Sequence, residues 1–185
     1  MRIIAGEFRG RRLASLGKGD AAARLRPTSD RVRESLFSAL IGGHSDPITD
    51  AQVLDLFAGT GALGLEALSR GAAHVTFFEN GRAGQKLIRE NIALCRVEDR
   101  ATLIPRDARR PGQCTAAPAT LVFLDPPYGR KLGEAALEAT LEGGWIAPGA
   151  VIVWEESAPV TPPGDLTLCD ERRYGDTVIR VFRRG

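Results

Sequence analysis

The most constraining feature of this 185-residue sequence is an alternation of short apolar runs with segments of helical periodicity. Continuous apolar runs are typical of strands buried on both faces, whereas half-exposed strands alternate apolar and polar residues. Strands alternating with helices predict an α/β fold, in which helices cover both faces of a parallel sheet. The predicted strands are residues 53–57, 75–78, 101–104, 121–124 and 151–154, with helices at 62–70, 81–95 and 133–142.

Both ends of the chain depart from this alternation. Residues 1–13 predict a small β-hairpin with interleaved arginines, and residues 14–27 have the composition of a loop. A helix then follows N-cap candidates at residues 28–30, and an antiparallel strand pair is predicted at 166–169 and 177–182. We therefore predict a basic N-terminal hairpin and loop over residues 1–27, followed by one α/β domain over residues 28–185.

Positive charge is concentrated at the N terminus. Residues 1–34 contain nine basic and four acidic residues, although the net charge of the chain is only +2. Such a block favours an arm that meets a polyanion, but it could also be a solvated face of an arginine-rich protein. The residues that we expect to contact nucleic acid are Arg9, Arg11, Arg12, Arg26, Arg31 and Arg33.

Simple features argue against several classes of protein. No apolar run approaches the roughly 20 residues that cross a bilayer, and the N terminus lacks the apolar core of a secretory signal. Three separated cysteines and two isolated histidines fit neither a disulfide framework nor a metal site. We therefore expect a cytoplasmic, monomeric protein that binds neither membrane nor metal.

A glycine-rich stretch follows the first predicted strand. Gly59, Gly61 and Gly64 match Gly-x-Gly-x-x-Gly, which lets a ligand approach the backbone, and Glu79 ends the next strand, where an acid can bind a ribose. This pattern fits a dinucleotide or an adenosyl cofactor. Asp55 favours the latter, because an anion here opposes a pyrophosphate but compensates the sulfonium and ammonium groups of S-adenosylmethionine. A carboxylate that only braces the loop is the alternative for Asp55.

The tetrapeptide Asp125-Pro126-Pro127-Tyr128 follows the fourth predicted strand, at the edge where ligands gather in an open α/β sheet. Because the two prolines have no N–H, the Asp125 carboxylate and nearby carbonyl oxygens can form an acceptor-only pocket for an exocyclic NH₂ group. Tyr128 offers a face for a planar base turned out of its stack. A rigid turn without chemistry is the alternative, but the position after strand four favours a site of N-methyl transfer.

Several stretches of the sequence resemble one family. They are residues 2–13, 26–37, 55–67, 125–128 and 173–177, which together span nearly the whole chain. In them the sequence resembles the N-methyltransferases marked by Asp/Asn-Pro-Pro-Tyr. The most similar of these is the bacterial family that methylates guanine N2 in small-subunit (16S) ribosomal RNA.

The resemblance implies a seven-stranded, Rossmann-like class I methyltransferase fold with S-adenosylmethionine as cofactor and 16S ribosomal RNA or the 30S subunit as partner. It implies that the catalytic residues are Asp125, Pro126, Pro127 and Tyr128. The expected cofactor residues are Thr28, Asp55, Phe57, Ala58, Gly59, Thr60, Gly61, Glu79, Asn80, Asp107 and Ala108. Within that set, Asp107 would accept a hydrogen bond from the adenine amino group, with a helix N-cap as its alternative role. Asn80 stands where many relatives carry a charged residue, which leaves ribose binding by Glu79 intact.

From the residues alone, several functions stay open. An adenine or cytosine amine in nucleic acid, or a protein glutamine, could replace guanine as substrate; Asp125 favours guanine because adenine enzymes often carry Asn there. A dinucleotide enzyme that transfers no methyl group, and an RNA-binding module without catalysis, are the remaining alternatives.

Overall fold

The computed structural model describes residues 1–15, 29–43, 45–127 and 129–185. These ranges contain four helices, α1 (Asp30–Gly43), α2 (Ala62–Ser69), α3 (Arg82–Cys95) and α4 (Leu132–Glu142). They also contain seven strands, β1 (Gln52–Leu56), β2 (His74–Phe78), β3 (Ala101–Ile104), β4 (Ala119–Leu124), β5 (Ile146–Glu156), β6 (Leu166–Tyr174) and β7 (Thr177–Arg184). The predicted α/β alternation is confirmed. None of the four helices is long and apolar enough to cross a membrane.

The seven strands form one sheet in the order β3-β2-β1-β4-β5-β7-β6. Strands β1 to β5 pair in parallel, and β7 is antiparallel to both β5 and β6. The predicted C-terminal antiparallel pair is therefore confirmed, and β6 extends past the predicted residues 166–169 to include Arg172 and Arg173. The strand order reverses between β1 and β4, and ligands of such sheets bind at the carboxyl ends of the strands beside this reversal.

Apolar layers cover both faces of the sheet. One layer is built from α1, α2 and α3, in which Phe37 packs against Phe123 with ring centroids 5.6 Å apart. The other includes α4, and there Phe78 meets Trp145 edge to face at 5.1 Å. Helices on both faces follow from strands that are apolar on both sides.

The basic N-terminal segment, residues 1–15, folds back on itself. Its two arms meet in one antiparallel bridge between Arg2 and Arg12, which is a shorter pairing than the predicted hairpin. Ile3, Phe8 and Leu13 are buried in the same apolar layer as α1 and α2. The segment therefore packs into the main core, and the predicted boundary between residues 27 and 28 lies outside the described residues.

Candidate active site

Acidic side chains collect at the carboxyl edge of the parallel strands. They are Asp55 in β1, Glu79 after β2, Asp125 after β4, and Glu155 and Glu156 at the end of β5. The backbone N–H of Asp125 lies 3.5 Å from the Leu56 carbonyl oxygen, which ties the loop after β4 to the end of β1. The structure thus brings the predicted Asp55 and Asp125 together beside the reversal of strand order.

Asp55 is a buried carboxyl group, with 2% of its surface exposed. Its Oδ2 accepts a hydrogen bond from the Gly64 N–H at 3.0 Å. Burial raises the pKa of Asp55 to about 8, and the nearby charge of Glu79 adds to the rise while the Gly64 bond partly opposes it. The loop-bracing bond is therefore present. A cation beside the carboxyl group would favour its ionised form.

The loop between β1 and α2 turns tightly. Phe57, Gly59 and Gly61 all have positive φ angles, of 60°, 57° and 76°. The Gly61 N–H donates to the Ala58 carbonyl at 2.7 Å, which closes the turn. Glycine is also required at position 64, where a Cβ atom would lie 2.5 Å from Phe77 Cε1. The turn is therefore as tight as the glycine pattern predicted, and its residues 59–61 are buried.

Glu79 is held by the backbone on both sides of the site. Its Oε2 accepts from the Gly59 N–H at 2.8 Å and its Oε1 from the Gly81 N–H at 2.6 Å. Each oxygen of the Glu79 carboxylate has the capacity to accept one more hydrogen bond, as binding to two ribose hydroxyls would require. Asn80 is exposed beside it.

Gly84 in α3 is a residue that sequence reasoning missed. A Cβ atom there would lie 2.8 Å from Glu79 Cδ and 2.9 Å from the Gly59 carbonyl oxygen. Gly84 thus lets α3 approach the Glu79 carboxylate closely. A glycine in the first turn of a helix, five residues after a strand-ending acid, was the available signal.

Asp107 makes its contacts with its own loop. Its Oδ1 accepts from the Arg109 backbone N–H at 2.9 Å, and Arg109 Nη2 lies 2.6 Å from Oδ2. The Arg109 side chain holds the pKa of Asp107 below its usual value. This is a local turn-bracing role, and an adenine amino group would have to share the carboxylate with Arg109. Ala108 is buried in the same apolar layer as Phe78.

The loop that carries the tetrapeptide lies beside the end of β5. Asp125 is half-buried, Pro126 is buried and Pro127 is exposed, while Tyr128 lies outside the described residues. Burial raises the pKa of Asp125 well above its usual value, and the charges of Glu155, Asp55 and Glu156 raise it further. Asp125 is therefore an acid whose ionisation is disfavoured by its surroundings.

Glu156 is the second residue that sequence reasoning missed. It is 6% exposed, and its Oε2 accepts from the Gly129 N–H at 3.4 Å, immediately after the tetrapeptide. Its Oε1 accepts from the Ser157 N–H at 2.8 Å. The signal was the same as for Asp125, an acid at the end of a predicted buried strand.

The arginines predicted to contact nucleic acid differ in exposure, and Arg9 and Arg31 line one shared cavity. Arg9, Arg12 and Arg31 are exposed. Arg11 is partly buried over the Phe8 ring and donates to the Leu94 carbonyl at 2.8 Å. Arg26 and the predicted cofactor residue Thr28 lie outside the described residues.

Arg33 was wrongly grouped with the arginines that contact nucleic acid. It is fully buried, and its Nη2 donates to the Arg2 carbonyl at 2.7 Å and to Asp30 Oδ1 at 2.6 Å. Its position explains this, because residues 33, 37 and 40 follow the helical spacing of the buried face of α1. Within the described ranges, no cluster of three or more His, Cys, Asp or Glu side chains is arranged to hold a metal ion.

The strand order, the glycine loop and the acidic edge define a class I methyltransferase fold. Solved structures share it: the Escherichia coli protein yhhF is 38% identical, with a TM-score of 0.82 and coverage of 100% of this chain and 97% of that one. A Haemophilus influenzae structure is 33% identical, with a TM-score of 0.77 over 99% and 97% of the two chains. The structure of Pyrococcus horikoshii TYW2 in complex with MeSAdo is 24% identical, with a TM-score of 0.57. The match covers 72% of this chain and 56% of the TYW2 chain.

Sequence comparison identifies the family. The family model described as Conserved hypothetical protein 95 matches residues 1–183. Ribosomal RNA small subunit methyltransferase D of Escherichia coli K12 is 38% identical over 187 residues, covering 100% of this chain and 90% of the relative. Its Haemophilus influenzae namesake is 36% identical, with coverage of 99% and 93%. The chain therefore belongs to the Conserved hypothetical protein 95 family, which includes ribosomal RNA small subunit methyltransferase D, and the family resemblance noted from the sequence is confirmed.

Proposed function

We propose that this protein transfers a methyl group from S-adenosylmethionine to the exocyclic N2 amine of a guanine in 16S ribosomal RNA, within the 30S subunit or an assembly intermediate. The observation that carries the proposal is the placement of Asp125 and its proline loop directly beside Asp55 and the glycine loop. The relatives named ribosomal RNA small subunit methyltransferase D support an RNA substrate. The choice of guanine rests on the family resemblance, with support from Asp rather than Asn at position 125.

The residues around the glycine loop fit S-adenosylmethionine. Asp55 is a buried carboxyl group whose ionised form needs a cation, and the cofactor is cationic at its sulfonium and ammonium groups. Glu79, whose carboxylate is bonded to the Gly59 N–H of the loop, would receive the ribose hydroxyls. When bound, the cofactor supplies an electrophilic methyl group. The TYW2 complex with MeSAdo supports the capacity of this fold for an adenosyl ligand.

The loop after β4 would hold the substrate amine. Pro126 and Pro127 contribute no N–H, so the Asp125 carboxylate and the neighbouring carbonyl oxygens are acceptors for the two hydrogens of an NH₂ group. Accepting both hydrogens orients the nitrogen lone pair toward the methyl donor. As the nitrogen becomes positive, the Asp125 carboxylate stabilises it and, because its pKa is raised, can take up a proton. Tyr128 would provide a stacking face for the base.

The exposed arginines would contact RNA phosphates. Arg9, Arg12 and Arg31 are exposed on the basic N-terminal segment and α1. Such contacts position an RNA without reading its sequence. The recognition of one target guanine would then rest largely on the assembled particle.

A labelling experiment tests the proposed function. The protein would be incubated with methyl-labelled S-adenosylmethionine and with 30S subunits that lack the modification, naked 16S RNA, DNA or total protein, and each product digested to its monomers. We expect label in N2-methylguanosine from 16S RNA, with more incorporation in 30S subunits than in naked RNA. Label in an adenine or cytosine derivative or in glutamine would replace guanine with that substrate, and the absence of any label would reject methyl transfer.

A further inference from the structure

Asn91 in α3 is a buried polar residue outside the acidic edge. It is fully buried, and the other inward residues of its helix are Gly84, Leu87, Ile88, Ile92 and Cys95. Its Nδ2 donates to the Thr60 carbonyl at 2.9 Å and to the Ala14 carbonyl at 3.2 Å. Its Oδ1 accepts from the Ala14 N–H at 2.7 Å. Both N–H donors and the oxygen of one side-chain amide are thus shared between two distant stretches of chain.

The two stretches are the glycine loop and the basic N-terminal segment. Thr60 lies between Gly59, which is bonded to Glu79, and Gly61, which caps α2. Ala14 follows Arg12 by two residues, at the end of the described part of the basic segment. A second contact joins the same elements, since the Thr60 hydroxyl lies 3.9 Å from Met1 Sδ.

Other anchors of the basic segment bypass the glycine loop. Glu66 in α2 accepts from the Ile4 and Ala5 N–H groups at 2.8 and 3.1 Å. Ser69 Oγ accepts from the Phe8 N–H at 2.9 Å. These contacts fix the segment on α2 without touching Thr60, so the link from Ala14 to Thr60 through Asn91 is a separate connection.

We propose that Asn91 is a positioning residue that couples RNA binding at the basic N-terminal segment to cofactor binding at the glycine loop. The proposal rests on the proposed function. Because one amide is bonded to both stretches, a ligand that shifts either stretch changes the hydrogen bonds that position the other. Because such coupling is a free energy between two sites, each ligand strengthens the binding of the other by the same factor.

Equilibrium binding tests the coupling. S-adenosylhomocysteine, which transfers no methyl group, would be titrated into the protein with and without saturating unmodified 30S subunits, and 30S subunits with and without S-adenosylhomocysteine. We expect each ligand to tighten the other about 5-fold in the wild-type protein, the same factor in both directions. In Asn91→Ala both factors should fall well below the wild-type value, although the Thr60–Met1 contact stays in place. Ser69→Ala, which weakens only an anchor on α2, should keep the wild-type factor.

A second variant guards against loss of folding in Asn91→Ala. Ala14→Pro removes the N–H that donates to Asn91 Oδ1 but keeps the Ala14 carbonyl as an acceptor for Asn91 Nδ2, so it should weaken the mutual tightening without abolishing it. Thermal melting would verify that each variant is folded. Retention of the wild-type factor in a folded Asn91 or Ala14 variant would overturn the coupling. A wild-type protein that methylates 30S subunits without mutual tightening would overturn the coupling alone, whereas one that binds neither ligand would overturn the proposed function as well.

Discussion

The Gly64 N–H donates a hydrogen bond to Asp55 Oδ2 at 3.0 Å, so the first turn of α2 is bonded directly to a carboxyl group of β1. This contact does not offset the cost of burial, because the pKa of Asp55 is raised to about 8. The folded protein therefore holds a proton on Asp55 over a pH range in which the unfolded chain does not. Without a ligand the Asp55 carboxyl group is therefore preferentially neutral. A bound cation would favour its ionised form.

Replacement of Asp55 by Asn should change the pH dependence of stability. Because the folded-state pKa of about 8 lies above the unfolded value of 3.8, this group contributes most stability below pH 4 and loses it as pH rises through 8. Asp55→Asn keeps an acceptor for Gly64 and removes the charge. We expect the variant to gain about 2–4 kcal/mol relative to wild type between pH 5 and pH 8. Urea unfolding at pH 5 and pH 8 measures the free energy of unfolding of both proteins. The same difference between variant and wild type at the two pH values would contradict the prediction.

The same variant should bind S-adenosylmethionine more weakly. Cofactor binding to the wild-type protein must ionise Asp55, so affinity should rise from pH 6 to pH 8 as the proton becomes easier to release. Asp55→Asn should weaken binding about 10- to 100-fold at pH 8, in keeping with the loss of a charged contact. Any pH dependence that belongs to the cofactor's own amine would remain in the variant, and the difference between the two titrations isolates Asp55.

Replacement of Asp125 by Asn should affect methyl transfer more than cofactor binding. Burial and then the charges of Glu155, Asp55 and Glu156 raise the pKa of Asp125, so the active carboxylate should form as pH increases and kcat should rise with it. We expect kcat of Asp125→Asn to fall about 10²- to 10³-fold and to lose this rise. Single-turnover rates across pH would measure both effects. Glu138→Gln, which changes an exposed carboxyl group of α4, is the control and should match wild type.

Two arginines of α1 should differ in what their replacement changes, with Arg33 affecting stability and Arg31 affecting RNA binding. Arg33 is buried against Asp30 and Glu66, so Arg33→Met should destabilise the protein by about 3 kcal/mol by leaving Glu66 with one cationic partner fewer. Arg31 is exposed, so Arg31→Ala should change stability by less than about 0.5 kcal/mol. Arg31→Ala should instead weaken RNA binding and reduce the slope of affinity against salt by about 1. A normal salt slope in Arg31→Ala would remove Arg31 from the RNA contact.

Glu79 and Asn80 form another matched pair. Glu79→Gln removes the charge of the carboxylate that accepts hydrogen bonds from the Gly59 and Gly81 N–H groups. We expect S-adenosylmethionine to bind about 10- to 100-fold more weakly. Asn80→Ala changes an exposed neighbour and should alter the dissociation constant by less than about 2-fold, since surface changes away from such contacts are small. Isothermal titration of both variants decides this, and equal losses would place the ribose contact at the backbone rather than at Glu79.

The tightness of the glycine loop can be tested through stability. Gly64→Ala would place a Cβ atom 2.5 Å from Phe77 Cε1 and 2.6 Å from Val75 Cγ2, and we expect a loss of about 1–3 kcal/mol. Gly42→Ala, in α1, meets no atom within 4 Å and should stabilise the protein by up to about 1 kcal/mol through helix propensity. Thermal melting of the two variants measures whether each is less or more stable than wild type. An unchanged stability in Gly64→Ala would show that α2 can move away from β2.

Strand ends and periodicity were the features most accessible to sequence reasoning. Residues 101–104 coincide with β3, and the other strands and helices predicted for the α/β domain correspond to elements of the structure, whereas the predicted hairpin of residues 1–13 has one bridge. Burial on two faces makes a central strand apolar throughout, which is why its sequence is easy to identify. Asp55, Glu79 and Asp125 lie at or near the carboxyl ends of three such strands, which was enough to predict that they share one edge of the sheet. Strand order could not be predicted from periodicity, because apolar runs are similar and do not encode their neighbours.

The sequence by itself determined which residues could carry chemistry, through the glycine spacing and the prolines that remove backbone donors. Only the tertiary structure decided how those residues are used. It shows that Arg33, a predicted RNA contact, is a buried partner of Asp30. It also shows that the Asp107 carboxylate is paired with Arg109. It also joined Ala14 to Thr60 through Asn91, across more than 40 residues of sequence. The physical reason is that burial and pairing depend on which distant elements pack together, and that information is spread over the whole core.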